Sequence, residues 1–164
     1  MKKLLFFVCL LPCVKTVSAQ AIIKLETDSS ANIRKLIIPT YDNLFKLMKA
    51  SAKDYDATLL SLDYVRKDEG DAYAYYAKSE DKSLIFSVIK QDKEVDIAFN
   101  VHTDYPQLMK DALLKKFTDA VHKRIKGMDA YFFDQSDNGG AAVSYCMLFD
   151  ISKKGGGVTL LEVD

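Results

Sequence analysis

Two histidines are available for proton transfer at neutral pH. His102 stands in "FNVHTDY", two residues before Asp104. A histidine beside a carboxylate is the pairing that a general base needs. The same stretch also carries helix-start chemistry. Asp104 followed three residues later by Gln107 resembles a capping box, and Pro106 suits a first turn. His122 falls outside the apolar stripe of the helix predicted there and reads as exposed. No HxxE, HExxH or HxH spacing occurs, so no histidine-based metal site is expected.

The remaining candidates are explained by packing and turns. Cys146 sits in the strand-like run "AVSYCMLFD", where a free cysteine acts as a small buried hydrophobe. The acidic run "KDEGD", Lys67 to Asp71, lacks the oxygen-ligand spacing and terminal glutamate of a calcium loop. "SDNGG" has hairpin chemistry. "KKGGGV" leads into a strand rather than a helix, which excludes a phosphate loop, and no GxSxG elbow is present. Neither a catalytic motif, a metal nor a cofactor is expected.

The first residues read as an export leader. Lys2 and Lys3 precede the apolar run Leu4 to Val14, which is too short to span a bilayer, and Val17-Ser18-Ala19 offers a small-x-small cleavage site. Residues 1–19 are therefore expected to be a signal peptide and 20–164 a single domain, periplasmic or envelope-associated in a bacterium. The whole chain balances 23 basic against 23 acidic residues. The leader holds three lysines and no acid, so the remainder carries a net charge of −3. Its basic runs are short and interleaved, which argues against nucleic acid as a partner. Only Cys146 remains after cleavage, so no intrachain disulfide can form.

The elements that would position these residues follow from periodicity and turn residues. Ile33, Ile37, Tyr41, Leu44 and Met48 have helical spacing, interrupted by Pro39, so a helix is predicted to start near Thr40. A second helix is predicted from Asp104 to a stop at Gly127, burying Met109, Leu113, Phe117 and Ala120/Val121. Strands are predicted over Ala57–Val65, Ala72–Lys78, Ser83–Lys90, Glu94–Val101, Met128–Asp134, Ala141–Ile151 and Val158–Val163. The expected fold is α+β: a largely antiparallel sheet in the order α-β4-α-β3, with two helices packed on one face. Two helix-then-meander halves hint at internal duplication.

Register then assigns faces. Turns centred on Glu80-Asp81 and Asp92-Lys93 put Tyr75 opposite Phe86 and Val88 opposite Ile97. A loop from Lys67 to Gly70 sets Tyr64 against Tyr73. Leu60, Leu62, Tyr64, Tyr73, Tyr75, Phe86, Val88, Ile97 and Phe99 then share the covered face. The open face collects Tyr76, Ser87, Asp96 and Asn100, with His102 at the strand end. An Asn138-Gly139 hairpin would pair Tyr145 with Phe132 and leave Tyr131, Phe133 and Cys146 on the reverse side. The expected function is a non-enzymatic exported module that binds a protein or envelope component through Tyr76, Ser87, Asp96, Asn100 and His102, or through an edge strand. A small hydrolase-like enzyme using His102 and Asp104 is the alternative.

Overall fold

The computed structural model describes residues 21–28, 35–69, 72–77, 86–99, 105–136, 140–152 and 155–163. The leader expected over 1–19 lies outside them. Strands β1 (Thr27–Asp28) and β2 (Leu36–Ile37) form a small antiparallel pair that ends before Pro39. Helix α1 (Tyr41–Lys49) follows as predicted, with Thr40 as its cap: the Thr40 hydroxyl accepts from the Asn43 amide at 3.2 Å. Its buried side is Tyr41, Asn43, Leu44, Leu47 and Met48.

Helix α2 (Ala52–Ser61) corrects the strand predicted over Ala57–Val65. Ser51 caps it by accepting from the Asp54 amide at 3.1 Å, and Tyr55, Thr58 and Leu59 fall on its buried side at helical spacing. Leu60, expected in the core, is 53 % exposed. Asp63 takes a left-handed conformation (φ 64°) and turns the chain out of the helix into the sheet.

Eight strands form one antiparallel sheet. In chain order they are β3 (Tyr64–Glu69), β4 (Ala72–Ala77), β5 (Phe86–Gln91), β6 (Glu94–Phe99), β7 (Val121–Ile125), β8 (Met128–Ser136), β9 (Ala142–Ser152) and β10 (Gly155–Val163). Helix α3 (Tyr105–Lys116) lies between β6 and β7. It is shorter than predicted because Val121–Ile125 is a strand, not its last turns. Gly127 is likewise not a helix stop. Lys126 (φ 49°) and Gly127 (φ 88°) form the two-residue turn that joins β7 to β8, the left-handed pair that matches strand twist.

The strand order is β3-β4-β5-β6-β10-β9-β8-β7. Each half is a four-strand meander, and the halves meet along their fourth strands, β6 and β10. The helix-then-meander order thus recurs, although two helices precede the first meander and one precedes the second. All three helices cover the same face, where two were expected, and their apolar sides join the covered face of the sheet in one core.

Pairing between β5 and β6 is as predicted, with Phe86 opposite Phe99 and Val88 opposite Ile97. The other two registers in the first half differ by even steps. Tyr75 opposes Val88 rather than Phe86, and Tyr64 opposes Ala77 rather than Tyr73. An even slip keeps each residue on its face, so Tyr64, Tyr75, Val88, Ile97 and Phe99 are all in the core. In the second half the slip is odd. Tyr145 opposes Phe133 and Met147 opposes Tyr131, because Ser136 pairs with Ala142 across a connection longer than two residues. Tyr131 and Phe133 thus turn to the covered face and Phe132 to the reverse, the opposite of the expectation.

That odd slip assembles the aromatic heart of the second half. Phe133 stacks on Phe117, just past the end of α3 (centroids 4.1 Å apart), and meets Tyr41 of α1 edge-on at 5.4 Å. The Tyr41 hydroxyl donates to the Gln135 side-chain oxygen. Burying each such ring contributes ~1.5–3 kcal/mol, and favourable ring geometry adds ~0.5–1.5 kcal/mol. Across the outer surface of the helices runs the segment 21–28. Fully buried Asn43 holds it: its amide nitrogen donates to the carbonyls of Glu26 (2.8 Å) and Ile38 (2.9 Å), and its oxygen accepts from the Glu26 amide at 3.0 Å.

Candidate functional site

Of the residues that the sequence nominated, Tyr76, Ser87 and Asp96 occupy reverse-face positions of their strands. Tyr76 is paired through its backbone with Ser87, and Ser87 with Ala98. Asp96 lies one row away, between Ile89 on β5 and Thr159 on β10. Asn100, His102 and Asp104 lie outside the described residues. Ser87 is 5 % exposed. The expectation of a surface hydroxyl is corrected there: Ser87 is part of the floor of this face.

Asp96 is the site's best-defined polar group. Its Oδ1 accepts from the Thr159 hydroxyl at 2.7 Å, across the seam that joins the two halves. Burial pushes its carboxyl above the ordinary range, Glu94 and Asp150 add to that by repulsion, and the Thr159 bond opposes it. The partner could not be read from sequence, because the two residues are 63 positions apart and meet only through β6–β10 pairing.

Small residues surround the pair. Ala98 opposes Gly157, so the Ser87–Ala98–Gly157 row crosses three strands without a large side chain. Half-buried Ile89, Leu148, Leu161 and Phe132 flank it. Cys146, also on this face, is 1 % exposed, and burial pushes its thiol up to about 11. A thiol so shifted is protonated at neutral pH, as expected for a packing cysteine and not for a nucleophile. Chemically, the arrangement offers half-buried apolar side chains around one hydrogen-bonding carboxyl, with the carboxylates of Glu94 and Asp150 near enough to repel it.

A second polar cluster lies at the far edge of the sheet, on the helix-covered side. His122, expected to be exposed on a helix, is exposed on strand β7 instead. Its Nε2 lies 3.0 Å from Asp129 Oδ1, and its ring stacks on Tyr131 at 4.7 Å. Lys110 of α3 and Arg124 each approach the same carboxylate at 3.6 Å. The His122 bond, with help from Lys110 and Arg124, holds Asp129 below the usual carboxylate range. The signal for this cluster was present: "KG" between two strand-like runs reads as a hairpin, and that hairpin sets Arg124 against Asp129 and His122 against Tyr131.

Between α1 and α3 lies a cleft of about 220 Å³ lined by Glu26, Tyr41, Met109 and Leu113, among others. An ion pair from Lys116 to Asp42 (2.5 Å) belongs to the same cleft. It is on the opposite side of the sheet from Asp96. Among the described residues no group of three or more metal-ligating side chains comes together. None of the helices there is long and apolar enough to cross a membrane.

No protein-family model matches the chain, and neither a curated protein nor a solved structure matches it.

Proposed function

We propose that this chain is a non-enzymatic exported bacterial module that binds a protein or envelope component through the helix-free face of its sheet or an exposed sheet edge. The observation that carries the reading is the one-sided packing. Three helices share one face, and among the described residues no helix covers the other, which presents half-buried apolar side chains around the Asp96–Thr159 pair. Apolar side chains grouped outside the helical layer support an interaction site there. Export is supported by the basic, apolar and small-residue order of the first nineteen positions.

The test is cross-linking in envelope extract with wild type beside Ile89→Glu and Leu148→Glu. Both residues are half-buried on the reverse face, so charge there disturbs docking more than folding. The expected result is loss of specific cross-linked partners in both variants while their melting transitions remain cooperative. An unchanged set of partners would overturn the face as the binding surface.

A further inference from the structure

Among the described residues, the β7 edge differs from the other edge of the sheet, β3, in joining an outward-facing backbone to charge of one sign. In the sheet, β7 pairs with β8 alone among the described residues. Its two-residue turn makes Ile125 and Met128 the closing hydrogen-bonded pair, so the pairs alternate from there. Lys123 and Val121 spend their backbone groups on β8. His122 and Arg124 occupy the other positions, and their N–H and C=O groups point away from the sheet. The strand is exposed from Val121 to Arg124.

Its charge is one-signed as well. "VHKRIK", Val121 to Lys126, contains no acid, in a chain that is net acidic without its leader. Asp119 stands two positions before the strand, and Asp129, the carboxylate that its side chains reach, is already shared by His122, Arg124 and Lys110. The opposite edge, β3, reads "YVRKDE", with both signs, and Arg66 there is tied to Asp56 at 3.0 Å. Mixed charge suffices to guard an edge against unwanted pairing. A uniformly cationic edge does more: it selects for an anionic strand.

We infer that β7 is a docking edge for an extended acidic polypeptide segment, which adds to the sheet as a further strand. The outward groups of His122 and Arg124 supply main-chain hydrogen bonds, and Arg124, Lys123 and Lys126 read the charge. Exposed Val121 gives one apolar contact on the reverse face. This inference rests on the reading of the chain as a binding module but uses a surface separate from Ile89 and Leu148, so either can fail alone.

The experiment titrates the purified chain into a fluorescent ten-residue peptide alternating glutamate and valine, with a lysine–valine peptide as control. Saturable binding to the acidic peptide alone is expected, weakening about tenfold as salt rises from about 50 to about 300 mM. His122→Pro removes an outward donor that the β7–β8 ladder does not use, so the fold should persist while affinity drops about tenfold. His122→Ala, which keeps the backbone, should bind within about twofold of wild type, and Lys123→Glu should lose about tenfold. Amide exchange at Lys123 reports whether the β7–β8 pairing survives in each variant. Failure of the acidic peptide to bind overturns the inference. So does a folded His122→Pro that binds like wild type while Lys123→Glu does not, which would mark the edge as a polyanion surface without strand addition.

Discussion

Replacing Asn43 should release the segment 21–28 from the helices, at a cost that can be worked out bond by bond. Asn43 makes three hydrogen bonds to that segment and the strand after it. Two of the accepting carbonyls have a second donor: Glu26 oxygen also takes the Ile38 amide at 3.1 Å, and Ile38 oxygen takes the Thr40 amide at 2.8 Å. Only the Glu26 amide loses its one partner when the side chain is cut back. Three net bonds at ~1 kcal/mol each, with the loss at both carbonyls softened, put Asn43→Ala at about 2–3 kcal/mol. Asn43→Asp sharpens the test. It keeps the acceptor for Glu26 but points its second oxygen at two carbonyls inside the protein, which raises its folded pKa above the unfolded value. The folded state then holds its proton longer, so stability falls as pH rises through the carboxylate range and returns on acidification. Urea unfolding followed by circular dichroism at several pH values measures both effects. Asn43→Ala within about 0.5 kcal/mol of wild type would refute the accounting. An Asn43→Asp that is no less stable at pH 7 than at pH 4, relative to wild type, would refute the electrostatic part.

Other outcomes follow from single positions. A Cβ on Gly156 would lie 2.5 Å from the Asp150 carbonyl oxygen, whereas one on Gly157 meets nothing closer than 3.5 Å. Gly156→Ala should therefore cost about 1–3 kcal/mol by urea unfolding and Gly157→Ala at most about 0.5 kcal/mol. Phe133→Ala should cost about 3–5 kcal/mol and Phe132→Ala distinctly less; the reverse order in thermal melts would contradict the observed β8–β9 register. Asp96 has a raised folded pKa, so its ionisation weakens the fold as pH climbs above the ordinary carboxylate range. Asp96→Asn should be more stable than wild type at pH 7, with the difference vanishing in titrated melts toward pH 3.

Much of the covered face was legible from sequence because it depends on parity alone. Tyr64, Tyr75, Val88, Ile97 and Phe99 reach the core whether or not each turn is placed correctly, provided that errors are even. Phe132 and Phe133 show the limit: adjacent rings on a strand exchange faces with a slip of one, and the length of a glycine-rich loop decides it. Helix α2 was misread because "DATLLSLDYV" satisfies both periods, and the Ser51 cap that decides for the helix lies upstream. Gly127 was misread because helix ends and tight hairpins both need a left-handed glycine. Of the candidate site, Asp96 was placed on the correct face, yet its Thr159 partner belongs to the other half of the chain.

The joining of the two meanders along β6 and β10 has a kinetic meaning. Every other pairing in the large sheet links consecutive strands, so hairpins can zip locally. Bringing Ile97 to Val158 instead closes a loop of about sixty residues, which costs about 2–3 kcal/mol more entropy than a tight hairpin. The middle of the finished sheet is thus expected to be the last part to assemble, and pulse-labelled exchange should protect Val88 and Met147 before Val158, whose amide faces β6 in alternation with the Glu162 amide that donates to the Lys93 carbonyl. Until then β6 and β10 are both open edges in a partly folded chain. An acid at Asp96 and three glycines at the start of β10 make these strands poor templates for other chains, while their own pairing remains available to each other. The residues at the centre of the candidate site thereby also act as guards against aggregation during folding.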